Sequence, residues 1–215
     1  MTPGRVNHPA SSLGYVEMEL PTSRGDATGR YYGPERPEAA VVFVGGAGGG
    51  WDTPARGLYV RLCAELAAEG LGALRVRFRD PRDLGECVVD VLAGVAYLAT
   101  RGISRLGLVG HSAGGAAVIQ AAARTPTARA VVTLATQSNG AQAAAELPAG
   151  CALLLAHGSA DDILTPSNSR FTHDLAHEPK RLVVYRGAGH GLDEAADDLH
   201  ALVSGWLRTW VSATR

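Results

Sequence analysis

Gly110-His111-Ser112-Ala113-Gly114 fits the spacing G-x-S-x-G. A serine hydroxyl is a weak nucleophile until a base takes its proton, so nucleophilic attack on a carbonyl requires further groups. The base should be a histidine on a loop, and Gly187-Ala188-Gly189-His190-Gly191 leaves His190 exposed between glycines. The imidazole needs a carboxylate to hold its tautomer and stabilise the imidazolium. His157-Gly158-Ser159-Ala160-Asp161-Asp162 offers Asp161 and Asp162, and spacing alone does not choose between them. The developing oxyanion needs backbone N–H donors. Ala113, directly after the serine, supplies one. The run Gly45-Gly46-Ala47-Gly48-Gly49-Gly50 is expected to supply the second. That run lacks the Lys-Ser/Thr of a phosphate-binding loop, which speaks against a nucleotide.

The other histidines have plainer readings. His8 lies in an N-terminal arm, and His173, His177 and His200 fall on predicted helices. His111 sits inside the bend and is expected to point away from the hydroxyl. His157 ends a strand and reads as a structural hydrogen-bonder.

These residues need elements that present them together. Arg105 to Val109 (RLGLV) reads as a buried strand and Gly115 to Arg124 (GAAVIQAAAR) as a helix, so the G-x-S-x-G bend joins strand to helix. Such a bend forces the serine into a strained conformation, and Gly110 and Gly114 supply the room. The glycine run follows the apolar strand Ala39 to Val44. His157-Gly158 ends the strand begun by Ala152 to Ala156, and the His190 loop follows Arg181 to Tyr185. Further strands are expected at Tyr15 to Leu20, Ala27 to Tyr32, Leu71 to Phe78 and Ala130 to Ala135. Helices are expected from Thr53 or Asp52 as cap to about Glu69, and over Asp83 to Thr100, Thr165 to His177 and Glu194 to Val211. From residue 39 onward strands and helices alternate, which predicts an α/β fold with parallel strands, helices on both faces and right-handed crossovers.

The 215 residues predict one domain over 14–215, preceded by a flexible arm over 1–13. Hydrophobic residues make up 46% and charged residues 19%, as in a globular chain. A net charge of −1 without long charged runs removes the electrostatic argument for nucleic acid or an anionic membrane surface. No apolar stretch is long enough to span a membrane, and the N-terminus lacks the apolar core of a signal peptide, so a cytoplasmic location is expected. Cys63, Cys87 and Cys151 read as small buried residues rather than disulfide partners or metal ligands. No metal and no cofactor are expected.

Together the glycine loop after AVVFV, GHSAG, HGSADDILTP and GAGHG resemble an α/β-hydrolase of the lid-free, dienelactone-hydrolase-like kind, over about residues 40–211. The resemblance implies an α/β-hydrolase fold with a mostly parallel central sheet of about eight strands and no cap domain. The chain order Ser, Asp, His matches that fold. The family's H-G-x-x-D pattern selects Asp161. The second oxyanion donor follows a His-Gly pair in such proteins; Gly45-Gly46 stands there in this chain, so Ala47 is the matching position, with Gly46 its alternative. Dienelactone hydrolases proper use a cysteine nucleophile, so Ser112 implies ordinary ester chemistry.

Lids in this fold are usually inserted after the sixth strand. Gln137 to Gly150 is too short for a helical cap, so an open, shallow site and small or flexible acyl esters are expected. Trp51, Gln137, Leu164 and Leu192 lie on loops expected to surround the serine, and Arg79 could bind an anionic group or form a surface ion pair. The expected partner is a small-molecule ester, with the chain a monomer or homodimer. Two other readings use the same residues: acyl transfer to another acceptor, and a non-catalytic ligand-binding protein on a hydrolase scaffold.

Overall fold

Alternate residues of Ala39–Val44 point into two different cores. Ala40, Val42 and Val44 join one buried cluster, while Ala39, Val41 and Phe43 join another. A strand covered on both faces must be apolar throughout, which is why this segment shows no polar alternation. The computed structural model describes residues 14–51 and 53–212. The arm expected over 1–13 and the capping alternative Asp52 lie outside the described residues.

Eight strands form one sheet: β1 (Val16–Leu20), β2 (Ala27–Tyr32), β3 (Ala39–Val44), β4 (Gly72–Arg77), β5 (Arg105–His111), β6 (Ala128–Leu134), β7 (Ala152–Gly158) and β8 (Lys180–Tyr185). Their order is β1-β2-β4-β3-β5-β6-β7-β8. β1 and β2 pair antiparallel, as do β2 and β4, and every pair from β4 to β8 is parallel. The helices are α1 (Pro54–Ala68), α2 (Leu84–Thr100), α3 (Ala113–Ala123), α4 (Ser167–Leu175) and α5 (Ala196–Leu207). Side chains of α1 and α5 fill one core and those of α2 and α3 the other, so helices cover both faces. Among the described residues no helix is long and apolar enough to cross a membrane.

The topology decides where a site forms. The chain leaves β3 toward β4 on one side, and leaves β5 toward β6 on the other. At this switch point two neighbouring strands send their loops apart and leave a crevice at their carboxyl ends, where ligands bind in open α/β sheets. The loops there are the glycine run and the bend at Ser112.

Three boundaries differ from expectation. At the start of α1, Ala55, Arg56 and Gly57 are left-handed, with φ 52°, 52° and 86°. Thr53 Oγ1 accepts from the Tyr59 N–H at 2.9 Å, so it caps the turn that resumes beyond this kink. α4 stops at Leu175, because Ala176 is extended, with φ −74° and ψ 153°. His177 therefore lies in the connection to β8 rather than on a helix. The closing segment divides into a 3-10 turn (Asp193–Ala195), α5 and a π-helical turn (Arg208–Ser212). The three cysteines are free and buried; burial pushes the Cys87 and Cys151 thiols up to about 12, which keeps them protonated.

Candidate active site

Ser112 has φ 55° and ψ −120°, a strained conformation for a residue with a side chain. The backbone on either side of it is closely packed. A β-carbon on Gly110 would stand 2.2 Å from Gly114 O, and one on Gly114 would stand 2.1 Å from Gly45 O. At Gly110, β5 and α3 therefore cross in close backbone contact, and at Gly114 α3 is seated against the end of β3. β6 fixes the bend from outside, where Ser112 N–H donates to Leu134 O at 2.8 Å, and the first turn of α3 closes it, Gly115 N–H donating to Ser112 O at 3.0 Å. Ala113 is the first residue of α3, so its N–H has no acceptor within the helix and points out at the positive end of the helix dipole.

The loop after β3 lies against this bend. A β-carbon on Gly46 would be 3.1 Å from Ser112 Cβ, a tighter contact than most side chains make, so the loop packs closely on the serine. Gly49 N–H donates to Gly46 O at 3.1 Å, which closes a tight turn and leaves Ala47 exposed within it.

The loops after β7 and β8 are joined as one unit. A β-carbon on Gly158 would fall 2.1 Å from Ala188 O. Ser159 N–H donates to Tyr185 O at 2.8 Å, and Ala160 N–H donates to Ala188 O at 2.9 Å. This contact brings Asp161 to His190, whose Nδ1 lies 2.8 Å from Asp161 Oδ2. Asp161 is 7% exposed and Asp162 is exposed, so the two neighbours point opposite ways. Oδ1 of Asp161 accepts the N–H groups of Ile163 at 2.9 Å and Leu164 at 2.8 Å. Burial works to raise the Asp161 pKa. The Leu164 amide, the His190 imidazole and the Ile163 amide outweigh it and hold the carboxyl below its ordinary range. An ionised carboxylate only accepts, so His190 Nδ1–H is the donor in this contact.

His157 is fully buried behind Asp161. Its Nε2 lies 2.8 Å from Leu164 O and 3.1 Å from Asp161 Oδ2, and Nδ1 lies 2.7 Å from Ser169 Oγ. A carbonyl only accepts, so Nε2 carries the proton and Nδ1 accepts from the Ser169 hydroxyl. Burial lowers the His157 pKa, against the opposing pull of Leu164 O and Asp161, and favours the neutral ring.

His111 Nε2 lies 3.0 Å from His190 O, and the two rings stand 4.8 Å apart between centroids. The residue before the serine thus touches the loop that carries the imidazole. Among the described residues, no hydrogen bond joins the Ser112 hydroxyl to His190.

The four residues expected to surround the serine fare differently. Gln137 N–H donates to Ser112 O at 3.4 Å, while its side-chain amide turns to Asn139 O at 2.9 Å. Leu164 is half-buried beside the Asp161 carboxylate that its N–H holds. The Trp51 ring stacks under the Arg30 guanidinium at 4.0 Å, and its carbonyl accepts from Arg75 Nη2 at 2.6 Å. Leu192 is a correction: at 0% exposure and φ 58°, it turns inward and packs in the α1/α5 core beneath the His190 loop. Arg79 is held by Asp90 at 2.5 Å and Glu86 at 2.8 Å, which favours the ion pair over an anion site. The sequence reading missed the contact between His111 and His190 O, and the Ser169 hydroxyl behind His157. The first needs the loop's path, and no local pattern marks the second.

Comparison with known proteins places the fold. A dienelactone hydrolase from Anabaena variabilis superposes with a TM-score of 0.79 at 21% identity, over 92% of this chain and 98% of that one. A serine hydrolase without a lid from Xanthomonas campestris gives 0.74 at 22% identity, over 97% and 100%. The esterase domain of a Rhodothermus marinus protein gives 0.71 at 21% identity, over 90% and 98%. At these identities the likeness speaks to the fold. No curated protein matches the chain. The sequence match to a family is longer than half the chain: residues 58–210 fit the dienelactone hydrolase family. With the eight-stranded sheet, the uncapped switch-point crevice and this match, the chain belongs to the dienelactone hydrolase family of α/β-hydrolases.

Proposed function

We propose that this hydrolase cleaves carboxylic esters of small or flexible acyl groups through an acyl-enzyme on Ser112. The single observation that carries the reading is the 2.8 Å contact between His190 Nδ1 and the buried Asp161 carboxylate, on a loop that touches the residue beside Ser112. In the first step the Ser112 Oγ–H gives its proton to His190 Nε2 as Oγ bonds to the ester carbonyl carbon. Asp161 accepts the Nδ1–H and stabilises the imidazolium. The carbonyl oxygen becomes an oxyanion, received by the N–H groups of Ala113 and Ala47. Collapse expels the alcohol, which takes the proton from Nε2, and leaves the acyl group on Oγ. Water then repeats the sequence: His190 Nε2 takes its proton as the water oxygen bonds to the acyl carbon, the acyl–Oγ bond breaks as Nε2 returns the proton to Ser112 Oγ, and the acid departs.

The strain at Ser112 supports the role of that residue, since such conformations cluster at active sites. A serine in place of the family's cysteine favours ordinary esters over the enol-lactone reaction.

A fluorophosphonate probe should label Ser112, and p-nitrophenyl acetate should be turned over. Ser112→Ala should abolish labelling and lower kcat by about 10⁴-fold. Undiminished hydrolysis by Ser112→Ala, with no label at residue 112 of the wild-type protein, would overturn the proposal.

A further inference from the structure

His111 is absent from the reaction just described, yet it touches two of its loops. The ring is 6% exposed and lies between the glycine turn after β3 and the loop after β8. On one side, a β-carbon on Gly46 would stand 3.3 Å from His111 Nδ1 and 3.1 Å from Ser112 Cβ, so Gly46 lies against both. On the other side, His111 Nε2 is 3.0 Å from His190 O, with ring centroids 4.8 Å apart. A carbonyl oxygen can only accept, so Nε2 is the donor.

We infer that His111 is a positioning residue: its Nε2–H holds the main chain of His190, and so sets where the imidazole stands relative to Ser112. The inference rests on the catalytic roles proposed above for Ser112 and His190. The physical case is the loop's own construction. The His190 loop contains Gly187, Gly189 and Gly191, and glycine gives its backbone more freedom than any other residue. Several contacts restrain that freedom at its edges. Gly189 N–H donates to Glu194 Oε2 at 3.1 Å, Gly191 O accepts from Ala55 N–H at 2.7 Å, and Leu192 N–H donates to Gly189 O at 3.1 Å. Among the described residues, the contact from His111 is the one made to the carbonyl of His190 itself, and it comes from the residue bonded to Ser112. Nucleophile and base are thereby fixed to one another through a side chain rather than through the sheet alone.

The role belongs to one N–H at one place, which separates it from bulk packing. Gln places an amide N–H near the position of Nε2. Asn places one near Nδ1, on the Gly46 side. Phe keeps the ring and removes both. Steady-state kinetics with p-nitrophenyl acetate and the rate of fluorophosphonate labelling should be measured for His111→Phe, His111→Asn and His111→Gln, with thermal melts alongside. Phe and Asn should lower kcat and the labelling rate about tenfold or more with KM within about twofold, while Gln should recover to within about threefold of wild type. Wild-type kcat in the Phe or Asn variant would overturn the inference, as would a Gln variant as impaired as Phe, or a rise in KM at constant kcat. If the Phe variant does not fold, the Gln and Asn pair decides alone. Failure of the catalytic reading looks different: Ser112 would go unlabelled in the wild-type protein. Failure of this inference leaves Ser112 labelled at a rate that ignores residue 111.

Discussion

His157 works only as a neutral ring, because its Nε2–H must face Leu164 O and Asp161 while Nδ1 accepts from Ser169. Burial holds its pKa below the ordinary 6.5. As pH falls through 6.5, the unfolded chain takes up a proton here that the folded chain refuses. The contribution of His157 is therefore complete above that value and is lost progressively below it. Asp161 acts in the same direction at lower pH. Its carboxyl titrates below the ordinary 3.8, so its contribution is present above that value and is lost as pH falls through the folded pKa. Acid should thus loosen the two loops before it touches the sheet. The urea midpoint should fall between pH 7.5 and pH 5.0. His157→Gln should cost about 1–3 kcal/mol at pH 7.5 through the partners it leaves unsatisfied, and should flatten the fall below it. Equal pH slopes in both proteins would show that His157 does not titrate in this way.

At the scale of elements, the unit that matters is the pair of loops after β7 and β8. Gly158 lies against Ala188 O and Gly189 O, where a β-carbon would stand at 2.1 Å and 2.6 Å from the two oxygens. Both are backbone atoms, so Gly158→Ala must push the loops apart and part Asp161 from His190. It should lower kcat about a hundredfold with the far-UV spectrum retained. Gly205 is the control: it lies on α5 with nothing within 4 Å of its β-carbon position, so Gly205→Ala should leave activity unchanged and add about 0.5–1 kcal/mol of stability. Equal activity in the two variants would show that the loop contact does not position the site. The four motifs were legible because each stands at the carboxyl end of a strand that the sequence marks by apolar content. The left-handed turn at Ala55 to Gly57 was not, because apolar periodicity carries no information about the sign of φ. Leu192 differs for a related reason: its loop position places it beside the serine, but its side chain is buried in the core, and nothing in the sequence announces its positive φ. His157 is the structural hydrogen-bonder expected, but its partner Ser169 lies twelve residues on, in the first turn of α4, where nothing local announces it.

At the scale of the molecule, the span between β6 and β7 decides how much of a substrate can be buried. It holds one 3-10 turn, Ala141–Glu146, and no α-helix. Ala141 and Ala144 are fully buried in the core shared with α3, and Ser138 N–H and Oγ are both tied to Asn168 Oδ1, at 3.1 Å and 2.8 Å. This segment is therefore laid down on the body of the protein rather than arched over Ser112. An acyl chain that entered a closed tunnel would gain about 0.8 kcal/mol for each methylene buried, or about fourfold in kcat/KM per carbon. In an open crevice that gain ends once the chain reaches solvent. Across p-nitrophenyl acetate, butyrate, hexanoate, octanoate and decanoate, kcat/KM should rise over the first members at most, then level or fall. Detergent micelles should produce no jump in rate, since there is no lid for an interface to open. A fourfold rise per carbon sustained to decanoate would mean that the loops close around the chain, and the small-ester reading would give way to one with an enclosed acyl site.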